Sequence, residues 1–370
     1  MIIGVPRELT PDEYRVAVTP AGVRELVSAG NTVVVESQAG AGSGYRDGDY
    51  EAAGAATTGD AGEVWGACEL VCKVKEPVAA EYRQLREELV LFTFLHLAAN
   101  RPCTEALLAA GTTAIAYETV RRADGTLPLL APMSDIAGRM APLVGAELLQ
   151  RPKGGRGMLV SGVPGVPAAS VVVLGAGVAG MAAARLAVGM GARVLVLDKD
   201  PAKLHRADER FGGRLATLAA SAAAIEASCL DADLVVGAVL VAGARAPHLV
   251  PNTLVEAMAQ GAVLVDIAVD QGGCFEASRP TTHHAPTFEQ NGALYYCVAN
   301  MPGAVPVTAT QALANATLPY LEAVAEKGWR EAARADRSLA EGVNITAGDV
   351  VCEAVAEAHG LTCAALVLDS

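Results

Sequence analysis

The chain has 370 residues, 52% of them hydrophobic and only 4% aromatic, a length and texture that suit two packed cores rather than one. A formal charge of −13 argues against nucleic acid or an anionic membrane as a partner. The eight cysteines stand singly, without zinc spacing or the density of a disulfide framework, so a reduced, cytoplasmic protein with no metal site is expected.

In chain order, IIGVP reads as a first strand, and Arg7 and Glu8 come too early for a secretion signal. Thr19-Pro20 marks a helix start, with threonine as the cap and proline at the first position; Gly30 marks its stop. TVVVES (32–37), LVCKVKE (70–76), LVLFTFLH (89–96) and TTAIAYE (112–118) then read as strands alternating with helices, the pattern of a sheet covered on both faces. Arg15, in PDEYRVAVTP, precedes another short expected strand. A long helix over APMSDIAGRMAPLVGAELL (131–149) leads into the middle of the chain.

That middle, VVVLGAGVAGMAAARLAVGMGARVLVLD (171–198), has the form of a dinucleotide-binding unit. Gly175 permits a tight turn, Gly177 lets the backbone approach a pyrophosphate, and Gly180 lets the helix lie against the sheet. The helix N-terminus, with Val178 in its first turn, offers N–H groups to the anion. Asp198 ends the second strand, where its carboxylate accepts ribose hydroxyls and repels a 2′-phosphate, which points to NAD; Lys199 and Lys203 leave NADP as the lesser alternative. The uncharged run 157–184 carries Pro164, Pro167 and several glycines, which break a membrane-spanning helix.

Further strands are expected at LVVGAVLV (234–241), AVLVDIAVD (262–270) and LYYCVAN (294–300), with helices after them over ALANATLPYLEAVAEKG and EGVNITAGDVVCEAVAEAHG. The expected fold is α/β, with two Rossmann-like doubly wound domains. The NAD-binding domain, 129–306, is inserted into a discontinuous substrate domain of residues 1–128 and a helical segment 307–370.

Ligands of open α/β sheets bind at the carboxyl ends of strands, and four groups stand at or near such ends. Lys73 and Lys75 lie two apart and so on one side of a strand. His96 closes an apolar run that includes Phe92 and Phe94, Asp270 ends a strand before Gly272-Gly273, and Arg15 lies in the first domain. Each has a plainer reading: a solvated lysine, a histidine bonded to a carbonyl, an aspartate in a turn, an arginine paired with Asp12 or Glu13 on the surface. Together they match what a nicotinamide enzyme requires, since histidine and aspartate transfer protons while arginine and lysine bind a carboxylate.

At these residues the chain resembles the family shared by alanine dehydrogenase and the nucleotide-binding subunit of proton-translocating transhydrogenase. The motifs run end to end: IGVPREL, EYRVAVTPAGV, VCKVKEP, LFTFLHLA, LLAPMSDIAGRMA, LGAGVAG, GAVLVAGARAP, LVDIAVDQGGCFE, SRPTTH and CVANMPGAVP. The resemblance implies NAD-dependent oxidative deamination of L-alanine to pyruvate and ammonium, and the reverse reductive amination, in a homo-oligomer that is usually a hexamer. It assigns Arg15 and Lys75 to the substrate carboxylate and His96 and Asp270 to proton transfer. It also assigns NAD contacts to Ser134, Asp198, Lys203, Val239, Leu240, Ile267, Ala268, Val269, Asp270, Arg279, Val298, Ala299, Asn300 and Met301. Two departures stand out: Phe94 replaces a common tyrosine, and Ala220 replaces a common serine, beside Ser221. The alternatives are a soluble transhydrogenase subunit, a reductase or aminating dehydrogenase for another small 2-oxo acid such as glyoxylate, and a non-catalytic NAD-binding protein.

Overall fold

Valine-rich runs that alternate with alanine-rich helices bury both faces of each strand most completely when the strands pair in parallel. The computed structural model describes residues 1–239 and 247–368, and its contacts divide it into two units. One comprises Met1–Met133 with Gly303–Ser370, the other Ser134–Pro302.

In the first unit the parallel strands are β1 (Ile2–Val5), β2 (Thr32–Glu36), β3 (Ala56–Thr58), β4 (Leu70–Cys72), β5 (Val90–Thr93) and β6 (Thr113–Ala116). They lie in the order β3-β2-β1-β4-β5-β6. The second unit contains β7 (Ser170–Leu174), β8 (Arg193–Asp198), β9 (Ala216–Ala219), β10 (Leu234–Gly237), β11 (Val263–Asp266), β12 (Thr287–Gln290) and β13 (Ala293–Tyr296). Its order is β9-β8-β7-β10-β11-β13-β12, with only β12 antiparallel to its neighbour. Both units are therefore doubly wound in the same sense, reversing direction between β1 and β4 and between β7 and β10. In open α/β sheets such a point, at the carboxyl ends of the strands, is where ligands bind.

The alternation of side chains along β7 feeds two cores. Val171 and Val173 pack with Ala183, Ala184 and Ala187 of the helix Val178–Gly189. Val172 and Leu174 pack on the other face with Ile225 and Leu254. Each such buried valine or leucine contributes about 1.5–3 kcal/mol. In the first unit, Thr19 caps the helix Pro20–Ser28 by accepting from Gly22 N at 3.2 Å.

Several strand limits differ from the sequence-based expectation. The strands expected over 70–76, 89–96 and 262–270 end at Cys72, Thr93 and Asp266, because the apolar runs continue into buried loops after the ladder has stopped. Lys73, Lys75, His96 and Asp270 consequently sit beyond strands rather than on them. The segment 16–19, after Arg15, forms a buried bend and not the expected strand. The carboxyl-terminal segment is not wholly helical: β14 (Val343–Thr346) and β15 (Asp349–Val350) form a hairpin, and β14 pairs antiparallel with β6. Ala347 and Gly348, at φ of 50° and 83°, make its two-residue turn, which matches the right-handed twist of the flanking strands.

Six of the eight thiols are buried, Cys352 is half-buried and only Cys363 is exposed. Burial pushes Cys68 up to about 11 and Cys103, Cys229, Cys274 and Cys297 up to about 12, so these thiols stay protonated at neutral pH. Alkylation of the native protein and subsequent peptide mapping should therefore mark Cys363 first. The six buried cysteines should react only after denaturation.

Candidate active site

The glycine-rich turn after β7 is built by close approach. Gly175 adopts φ +103°, and a Cβ there would lie 2.6 Å from Ala238 O, at the end of the neighbouring β10. A Cβ on Gly180 would lie 1.8 Å from Gly175 O, so the helix can rest on the turn only if this residue lacks a side chain. Gly177 is different: a Cβ would meet no described protein atom within 4 Å. It caps the helix Val178–Gly189 without a side-chain hydrogen bond, so no side chain occupies the N–H groups of the first turn at this position. That combination fits a dinucleotide pyrophosphate, whose oxygens accept from the N–H groups of the first turn.

Asp198, at the end of β8, binds this turn directly. Its Oδ2 accepts from Ala176 N at 2.7 Å, its Oδ1 accepts from Asp200 N at 2.9 Å, and Lys203 Nζ lies 3.8 Å from Oδ2. Each carboxylate oxygen has a second lone pair, so these bonds leave acceptor capacity for a ribose hydroxyl. Ser221 spends its hydroxyl as a helix cap, accepting from Ala224 N at 3.1 Å.

Other sequence-derived cofactor residues lie just past the carboxyl ends of β10, β11 and β13: Val239, Ile267 to Asp270, and Val298 to Met301. Leu240 lies outside the described residues. Ser134 is half-buried on the helix Ala131–Leu148, and the Arg279 guanidinium lies over the Phe288 ring, 4.1 Å from its centroid. His283 Nε2 lies 2.8 Å from Asn300 O, which ties the 298–301 loop to its neighbour.

Asp270 is exposed, in the short turn Val269–Gln271. The residue that shapes its loop does not stand out in the sequence. Asp266 is fully buried and accepts from Cys274 N at 2.7 Å, from Ala268 N at 3.0 Å and from the Ser278 hydroxyl. Burial raises its pKa, against the lowering effect of these hydrogen bonds. An apolar strand ending on aspartate is the only signal in the sequence that could mark it.

In the first unit the two lysines after β4 separate clearly. Lys73 is 1% exposed and lies 3.2 Å from Glu8 and 2.9 Å from Glu81. Burial alone would lower its pKa, but the two carboxylates outweigh it, so the ammonium stays charged. Lys75 is half-buried, and among the described residues no carboxylate lies within ion-pair distance of its ammonium. Its carbonyl accepts from Thr93 Oγ1 at 3.0 Å, which fixes the backbone beside β5.

Arg15 is 3% exposed and forms a fork with Glu13, Nε donating to Oε1 at 2.6 Å and Nη2 to Oε2. Nη1 donates to Met133 Sδ at 2.9 Å. The pairing with Glu13 is thus a buried one and not the surface pair that the sequence suggested. His96 is half-buried at φ 48°, ψ 35°, a left-handed conformation. Its ring stacks on Phe94 with centroids 5.9 Å apart and planes at 4°. Arg15, Lys75 and His96 therefore belong to the first unit, whereas Asp270 and the glycine-rich turn belong to the second. Among the described residues no three His, Cys, Asp or Glu side chains are grouped to hold a metal ion, and no helix is long and apolar enough to cross a membrane.

Two family models divide the chain between them. The alanine dehydrogenase/PNT N-terminal domain matches residues 4–137, and the C-terminal domain matches 141–353. An alanine dehydrogenase of Mycolicibacterium smegmatis is 56% identical over 96% of both chains. One of Halomonas elongata is 52% identical over 98% of this chain and 97% of its own. Among solved structures, an L-alanine dehydrogenase matches with a TM-score of 0.93 and 50% identity, covering 97% of this chain and 99% of that one. A transhydrogenase from Sinorhizobium meliloti matches at 0.80 and 28% identity, covering 96% of this chain and all of its own. The chain belongs to the alanine dehydrogenase/PNT family.

Proposed function

We propose that the protein oxidises L-alanine, with NAD and water, to pyruvate, ammonium and NADH, and catalyses the reverse reductive amination. The observation that carries this reading is the whole-length similarity to proteins named alanine dehydrogenase, at 56% identity. The site geometry supports it with a glycine-rich turn suited to a pyrophosphate in one unit and, in the other, a lysine that meets no carboxylate among the described residues and whose backbone is tied to Thr93, three residues before His96. The same resemblance underlies our proposal of a cytoplasmic homo-oligomer, a hexamer.

When bound, NAD supplies the hydride acceptor at the nicotinamide. Asp198 favours it over the 2′-phosphorylated coenzyme by charge repulsion. Arg15, its plane fixed by Glu13, and Lys75 hold the substrate carboxylate, which orients Cα for hydride departure. The amine must be neutral before hydride leaves. His96 then takes a proton from the water that adds to the iminium carbon, and returns a proton to the departing nitrogen. Asp270 shares the proton transfer or stabilises the cationic iminium.

Purified protein mixed with NAD and L-alanine should produce NADH, and deuterium at Cα of alanine should be found on the nicotinamide; an unlabelled product would exclude direct hydride transfer. His96→Ala should lower kcat by about 10²–10⁴-fold while NAD still binds. The lysines separate by phenotype. Lys75→Ala should raise the KM for pyruvate in a protein of normal melting temperature. Lys73→Met should cost about 3–5 kcal/mol of stability by leaving Glu8 and Glu81 uncompensated. Gly177→Ala should preserve the melting temperature yet weaken NAD binding by about tenfold or more, since its methyl enters the pyrophosphate space. Undiminished affinity would remove that glycine from the cofactor site.

A further inference from the structure

We infer that Glu118 is a positioning residue for His96, a role that rests on the proton-transfer reading of His96 proposed above. A left-handed backbone is sparsely populated by a histidine and persists only where neighbouring contacts impose it. Glu118 supplies those contacts. Its Oε1 accepts from His96 N at 2.6 Å, and Leu95 N lies 3.3 Å from Oε1 and 3.2 Å from Oε2. Two successive N–H groups thus converge on one carboxylate, a concave arrangement that favours an anion and gains from the full charge.

The carboxylate is itself held firmly. Glu118 comes directly after Tyr117, a fully buried ring that meets Phe92 edge-on at 4.5 Å and Phe94 edge-on at 5.1 Å. Phe94 carries the His96 ring on its face. The packing that fixes the imidazole plane and the packing that fixes Glu118 therefore share the same aromatic core. One residue further on, Leu97 O accepts from His359 Nε2 at 2.7 Å and from Thr104 Oγ1 at 3.2 Å, so the turn is pinned on both sides of His96. Glu118 needs no contact with substrate for this role. It sets the backbone from which the imidazole projects.

The test compares Glu118→Ala, Glu118→Gln and Glu118→Asp with His96→Ala in alanine oxidation and pyruvate amination. NADH affinity and thermal midpoint are measured alongside. Glu118→Ala should lower kcat by about 10- to 100-fold, with KM for pyruvate and NADH affinity each changed less than about threefold. Glu118→Gln keeps an oxygen that accepts both N–H groups and should recover kcat to within about threefold of the parent. Glu118→Asp, one methylene shorter, withdraws its oxygens and should be as slow as the alanine variant. The aspartate variant keeps the inference testable if the alanine variant fails to fold.

A Glu118→Ala enzyme with kcat within about twofold of the parent, a glutamine variant as slow as alanine, or a fully active aspartate variant would overturn the inference. Normal turnover by His96→Ala would instead overturn the proton-transfer reading beneath it. An inactive His96→Ala beside a fast Glu118→Ala would overturn the positioning role alone.

Discussion

A parallel strand that ends at the ligand-facing edge hands the chain to a loop whose N–H groups have lost their ladder partners, and a buried donor without an acceptor is costly. In this protein carboxylates take those donors. Glu8 accepts from Val74 beyond β4, Glu118 from Leu95 and His96 beyond β5, Asp198 from Ala176 beyond β7, and Asp266 from Ala268 and Cys274 beyond β11. Each bond is accepted by a carboxyl oxygen of a side chain that is itself anchored, so the loops are held in one geometry. The chemistry proposed for this edge depends on that order, because proton and hydride transfer both require sub-ångström placement.

The carboxylates divide between ties and counter-charges. Glu13 spends its charge on Arg15, and Glu8 and Glu81 on Lys73, so two of three basic groups near the first sheet's edge are paired and buried. For Lys73 this is structural: the ion triad closes the loop after β4. For Arg15 the fork fixes the plane of the guanidinium. Lys75 is left as the group whose charge meets no carboxylate among the described residues. Asp198 serves twice, tying the glycine-rich turn while keeping acceptor capacity for the coenzyme.

How much of this was legible in the sequence depended on the range of the interactions. The glycine fingerprint, the Thr19-Pro20 helix start and the strand–helix alternation are local signals, and the structure realises them within a few residues. Lys75 was not separable from Lys73 by spacing, because the difference lies in Glu8, which reaches Lys73 only through the fold. The apolar pattern overruns the strand ends for a related reason: Phe94 and Leu95 are as buried as the strand before them, although the ladder has stopped. Glu118 carries no distinguishing sequence signal, and Asp266 only the apolar run before it, because a carboxylate that binds backbone looks, in sequence, like other acidic residues near a turn. The β14–β15 hairpin was hidden by alanine-rich flanks that read as helix, although Ala347-Gly348 between alternating residues was a legible turn.

The antiparallel pairing of β14 with β6 also sets an order on biosynthesis. The second unit is one uninterrupted stretch, Ser134–Pro302, and can close while the ribosome is still translating the carboxyl-terminal segment. The first sheet cannot be completed until Val343–Thr346 has emerged, so β6 waits as an open edge while the inserted unit is made. An exposed edge of this kind invites pairing with another chain. The edge of β6 therefore stays open from its own synthesis until β14 has emerged, and slow translation anywhere between the two would lengthen that interval.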